Sequence, residues 1–145
     1  MIEEDGLYQF LNHDSTIAGL TQGRIYGVMI PAKASGIYPC IVHLMVASDP
    51  IESLDGDNPT ETRRFQFDCY GRTRKESRLL SRAVRSLLVP KSDGSGSTPT
   101  VSYDLPDGTH VQSARLHIDQ DLPFEVGGGG YVFRALLDIE LTYSS

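Results

Sequence analysis

The sequence predicts an α+β domain: a mainly antiparallel sheet of about five strands, one long amphipathic helix across one face, and a short helix at the N-terminus. Three observations predict it. Phe65, Phe67 and Cys69 alternate with Arg64, Gln66, Asp68 and Tyr70, the period-two pattern of a strand with one face in a core. A helical period follows at once, with Leu79, Leu80, Ala83, Val84, Leu87 and Leu88 in one apolar stripe. Two further alternating runs lie near the C-terminus.

In chain order, residues 2 to 12 read as a short helix, with Leu7, Phe10 and Leu11 on one face. Asn12 to Gly23 reads as a polar connection, with only Ile17 and Leu20 as apolar points. Arg24 to Ile30 is a strand ended by Pro31. Ile37 to Ala47 is apolar at nearly every position, which predicts a central strand covered on both faces; Pro39 is tolerated only near its start or on an edge. Asp49 to Glu61 is a long acidic connection rich in turn formers.

The strand Arg63 to Tyr70 runs into the long helix through Thr73 and Glu76, a T-x-x-E capping box. Its threonine hydroxyl takes the Glu76 amide, and its glutamate reaches back to the Thr73 amide. Pro90 stops the helix. Val89 to Gly108, with Ser, Pro and Gly and no sustained apolar period, reads as a second long loop. In Val111 to Gln120 the residues Ala114, Leu116 and Ile118 face inward. In Tyr131 to Tyr143 the inward residues are Phe133, Leu137, Ile139 and Leu141, and Asp121 to Gly130 joins the two runs.

At 145 residues and 39% hydrophobic, the chain suits one domain spanning 1–145. A net charge of −6 and a pI near 5.1 argue against a general nucleic-acid binder. No apolar run reaches the roughly 18 residues that cross a bilayer, and the acidic start MIEEDGLYQF differs from a basic secretory leader, so synthesis and retention in the cytoplasm are expected. Cys40 and Cys69 lack C-x-x-C spacing and read as two buried, reduced thiols.

Catalytic signals are weak. Gly127 to Gly130 leads into a strand rather than a helix, so it reads as a hairpin loop or hinge and not as a phosphate cradle. His117 and Asp119 are expected on one strand face, with His110 and His43 elsewhere, but nothing fixes a third metal ligand. No nucleophile elbow accompanies the Ser, His and Asp residues. No enzyme activity, cofactor or metal is expected.

The strongest surface feature is a ridge of Arg74, Arg78, Arg82 and Arg85, spaced by four, four and three along the helix. Three readings stand open: a solvated helix face, docking on the acidic surface of a neighbouring subunit, and proximity to DNA. Glu52, Asp55, Asp57 and Glu61 in the acidic connection are the candidate complement if copies of the chain meet head to tail.

The order of motifs adds a resemblance. An N-terminal helix, Arg24-Ile25-Tyr26-Gly27, Tyr38-Pro39-Cys40-Ile41-Val42, Glu52-Ser53-Leu54-Asp55-Gly56, and Arg64-Phe65-Gln66-Phe67-Asp68-Cys69-Tyr70 running into the helix that ends Ala83-Val84-Arg85-Ser86-Leu87-Leu88 resemble the tail-completion family of long-tailed bacteriophages and prophages, also called tail terminators or head-to-tail joining proteins. The resemblance covers nearly the whole chain and is strongest from Arg24 to Leu88.

It implies a virion structural protein that forms a ring, typically a hexamer, at the head-proximal end of the tail tube. The implied partners are further copies of the chain, the tail tube protein and the head–tail connector or stopper protein, with DNA passing through the lumen without sequence-specific binding, and no membrane. The residues alone also leave room for a small cytosolic metal- or ligand-binding domain, or for an adaptor ring of another tube-forming machine.

Overall fold

The structure is a computed structural model and describes residues 4–34, 36–49, 60–90, 100–126 and 130–144. It is an α+β fold in which helices pack against one face of a six-stranded sheet. Helix α1 spans Glu4–His13, and α2 spans Ser15–Thr21. The second helix replaces the polar connection expected there. Asp14 caps it, its carboxylate accepting the Ile17 amide at 3.0 Å, and Ile17 is wholly buried. Gln22, in the left-handed conformation, ends it.

Strand β1 is Ile25–Gly27, shorter than the Arg24 to Ile30 run. Val28 stops it by adopting φ +72°, a conformation a β-branched residue rarely takes. A short 3₁₀ turn at Ala32–Ala34 and a cis Tyr38–Pro39 bond lead into β2, Cys40–Asp49. Proline therefore sits just before the strand. The expectation that β2 is covered on both faces fails in its second half, where Leu44, Met45 and Val46 are 39–48% exposed because β1 ends opposite His43.

Strand β3, Glu61–Gly71, is longer than the alternation suggested and buries Phe65, Phe67 and Cys69. Helix α3, Arg74–Leu88, follows, with Thr73 as its N-cap: the Glu76 amide donates to the Thr73 hydroxyl at 3.1 Å. The reciprocal bond differs from the expected box, since the Glu76 carboxylate accepts the amide of Arg72 at 3.0 Å rather than that of Thr73. Gly71 permits the tight turn between strand and helix. A Cβ there would lie 2.6 Å from the Ser77 backbone nitrogen.

The buried face of α3 is Ser77, Leu80, Ser81, Val84 and Leu88, while Leu79 is 44% exposed. The stripe is thus rotated from the predicted one. Ser77 and Ser81 sit on the inward face because their hydroxyls donate to the Arg74 and Arg78 carbonyls of the helix itself, which satisfies them without a partner in the sheet.

Strand β4, Thr100–Asp104, lies within what reads in sequence as a long loop. Its short run depends on partners distant in sequence: the Tyr103 hydroxyl donates to the Leu88 carbonyl at 2.9 Å, and its ring stacks on Phe10 at 5.1 Å. Strand β5, His110–Val126, continues past Gln120 through the segment expected to be a connection, and β6 is Gly130–Ser144. Their pairing runs from His110 opposite Ser144 to Val126 opposite Gly130, and Pro123 falls beyond the stretch of β5 that β4 pairs. Gly127–Gly129 lie outside the described residues.

The strand order is β1-β2-β3-β6-β5-β4, with β1 parallel to β2 and every other pair antiparallel. The sheet is therefore mixed and has six strands rather than about five. The core lies between sheet and helices: Leu7, Leu11 and Ile17 from α1 and α2, Leu80, Val84 and Leu88 from α3, and Phe67, Leu137, Ile139 and Leu141 from the central strands. Among the described residues no helix is long and apolar enough to cross a membrane.

Candidate assembly surface

The arginine ridge meets its counter-charges within the chain. Arg74 pairs with Asp121 at 3.3 Å, Arg78 with both Asp119 and Asp121 at 3.3 Å, and Arg85 with Asp119 at 3.2 Å. The two carboxylates belong to β5. They face the helix because β5 carries a bulge between Leu116 and Ile118, which shifts the alternation by one residue. Asp119 then stands opposite Leu137 and Asp121 opposite Ala135, both on the helix-facing side.

The same bulge turns Ile118 outward, 39% exposed, where an inward position is expected. It also parts His117 from Asp119. His117 lies against Glu140 on the other face, Nε2 to carboxylate 2.9 Å, so the pair expected on one strand face is divided. His110 meets Asp104 at 2.6 Å, and His43 is buried on β2. Among the described residues no three His, Cys, Asp or Glu side chains are grouped to hold a metal ion.

Arg82 is the ridge member that, among the described residues, has no ion-pair partner. It borders a shallow groove between α2 and α3 with Asp14, Thr16, Leu79 and Leu87. Of the acidic complement, Glu52, Asp55 and Asp57 lie outside the described residues. Glu61 is on β3 and is engaged inside the sheet, accepting from the Tyr143 hydroxyl at 3.0 Å and lying 3.4 Å from Arg63.

A second charged surface, whose pairing the sequence pattern did not reveal, covers the sheet face away from the helices. Arg64 binds Asp138 through two of its guanidinium nitrogens, Nε and Nη2, and Arg134 pairs with Asp68 at 2.9 Å, where Gln66 also donates. Asp68 and Asp138 are nearly buried by these neighbours. The hydrogen bond to Asp138 raises the Arg64 guanidinium pKa, and burial, with the Asp68 charge beside it, raises that of the Tyr70 phenol. Arg64 and Asp138, like Asp68 and Arg134, sit on neighbouring strands and meet through the β3–β6 register, while Gln66 reaches Asp68 along β3 itself.

The third surface is apolar. Five of the eight large hydrophobic residues exposed among the described residues, Val28, Met29, Leu44, Met45 and Val46, lie at one corner of the sheet, where the Val28 amide still donates to the His43 carbonyl at 2.9 Å. Leu44 and Met45 alternate between the two sheet faces, in register with Asp138 and Ile139 respectively, so these residues are apolar points at the rim of the sheet and not one face.

The sequence matches no protein-family profile and no curated protein. Among solved structures, a chain in one titled "Virion of native gene transfer agent (GTA) particle" is similar, with a TM-score of 0.62 at 15% sequence identity, over 96% of this chain and 92% of that one. The likeness is one of fold, and it extends over nearly the full length of both chains.

Proposed function

We propose that this protein is a structural virion component of a long-tailed phage or prophage. In this reading several copies, six by the family resemblance, close into a ring at the head-proximal end of the tail tube, stop tube growth and present a surface to the head connector. The observation that carries the reading is the fold shared with a chain of a virion particle across nearly all of both chains. The order of sequence motifs points the same way.

The physical logic is that of heterologous assembly. A tube of stacked rings grows as long as its last ring exposes the same surface, so an ending ring must match the tube on one side and differ on the other. This chain has unlike surfaces available: a helical layer whose arginines are largely neutralised from β5, and an opposite sheet face tiled with paired charges. Its work is assembly rather than catalysis, with DNA passing through the ring without base-specific contacts.

Deletion of the gene from its phage or prophage tests this directly. Electron microscopy of the lysate is expected to show tails of abnormal length, or separate heads and tails. Particles of normal length with heads attached would overturn the proposal.

A further inference from the structure

Helix α3 presents three lines to its surroundings. One is buried against the sheet through Ser77, Leu80 and Val84, and one turns Arg74, Arg78 and Arg85 to the carboxylates of β5. The third lies opposite the buried line: Lys75, Leu79, Arg82 and Ser86, spaced by four, three and four, are all exposed. Leu79 is 44% exposed there, between two cations that have no ion-pair partner among the described residues. Beside this crest runs the groove between α2 and α3, about 410 Å³ in volume and lined in part by Ala83 and Leu87. The acid in the groove, Asp14, is already engaged, accepting the Ile17 amide at 3.0 Å.

From this arrangement we infer that the crest of α3 and its groove receive the acidic connection, residues 50–59, of a neighbouring copy. This deepens the ring proposed above and rests on it. Charge complementarity selects the occupant. The segment carries Glu52, Asp55 and Asp57 and no lysine or arginine, with Ile51 and Leu54 among the carboxylates, so it offers aliphatic side chains to Leu79 and negative charge to Lys75 and Arg82. Duplex DNA would meet the cations but has nothing apolar to set against the leucine. Three of the four ridge arginines are matched inside the chain, which leaves Arg82, with Lys75, as the charge a neighbour can use.

Reach makes the contact one between copies. Helix α3 runs back along β3, since its last carbonyl, at Leu88, takes the hydroxyl of Tyr103, which stands in register through Val111 and Tyr143 with Glu61. Gly71 to Glu61 spans about 33 Å of strand, and Leu79 lies only about 8 Å along the helix from Arg74, so it falls about 25 Å short of the Glu61 end. Ten residues that leave Asp49 and return to Thr60 extend at most about 17 Å from the sheet end, too little to bring Leu54 to the Leu79 of its own chain. The contact is heterologous: each copy gives its connection to one neighbour and its helix crest to the other, so it propagates around a ring and does not stop at a dimer.

Charge exchange on the full-length chain tests this. Lys75→Glu with Arg82→Glu reverses the crest, Glu52→Lys with Asp55→Lys reverses the connection, and a combined variant carries all four changes. Read by native mass spectrometry over a concentration series, each reversal alone is expected to weaken assembly about tenfold or more with an unchanged circular dichroism spectrum, and the combined variant to recover most of the loss. Crosslinking gives a second measurement. Leu54→Cys and Leu79→Cys are made separately, mixed and treated with a short bismaleimide; Cys40 and Cys69 are fully buried and serve as the unreactive background in wild type. A crosslinked dimer is expected only from the mixture.

A wild-type ring whose assembly is undiminished by either reversal, whose reversals are not rescued in combination, or whose mixed cysteine variants give no 54–79 crosslink overturns this contact and leaves the ring standing. A wild type that stays monomeric at every soluble concentration overturns the ring, and the contact with it.

Discussion

Neutralising Asp119 and Asp121 together tests whether the arginine ridge is held from within the chain. Four guanidinium–carboxylate contacts of 3.2 to 3.3 Å converge on these two residues. Partly exposed ion pairs contribute about 0.2–1 kcal/mol each, which bounds the network between about 1 and 4 kcal/mol. Arg74 is 72% exposed, and Arg78 divides its charge between both carboxylates, so the expected loss for Asp119→Asn with Asp121→Asn is about 1–2 kcal/mol.

Urea unfolding reads this out. With a slope of about 2 kcal/mol per molar, the midpoint falls by roughly 0.5–1 M at low salt. The shift shrinks at about 1 M salt, where charges are screened within roughly 3 Å. A cycle with Arg78→Gln returns a coupling of about 1 kcal/mol, and repeating it at several protein concentrations separates chain stability from assembly. A loss under about 0.3 kcal/mol at low salt, or an equal loss at high salt, would refute the internal pairing and return the ridge to solvent or to a neighbour.

Two further predictions follow from packing and burial. Gly71→Ala places a Cβ 2.6 Å from the Ser77 backbone nitrogen, so α3 must shift; the expected destabilisation is about 1–3 kcal/mol, and an unchanged melting temperature would contradict the close approach. Burial pushes the Cys40 thiol from its ordinary 9.0 up to about 12, and burial followed by the Asp68 charge raises the Cys69 thiol well above 9.0. Below pH 9.0 both states keep these protons. From there to about 12 the unfolded chain releases what the native chain retains, so stability falls as pH rises through that window. Urea midpoints taken on either side of pH 9.0 are expected to show this fall, lessened in Cys40→Ala, and a native chain whose thiols react freely with a thiol reagent below pH 9.0 would contradict the burial.

Local pattern and tertiary context divided the fold between them in a regular way. The strand through Arg63–Tyr70, its inward Phe65, Phe67 and Cys69, the Thr73 cap and the helix ending at Leu88 were legible, because each depends on neighbours within about four positions. Helix α2 is not legible in the sequence because seven residues carry little periodic signal, and its one local mark is the cap at Asp14, three residues before Ile17. Strand β4 escaped because Tyr103 is held by Leu88 and Phe10, neither of them near it in sequence.

The candidate surfaces show the same division. Composition and spacing alone determined an α+β chain, a capped helix carrying a row of four arginines, and the absence of local catalytic motifs. What the arginines touch was decided by a single bulge in β5, which delivered Asp119 and Asp121 to the helix and turned Ile118 outward. A bulge adds one residue to a ladder, so its effect reaches every later side chain on that strand while leaving almost no trace in the amino acids that form it.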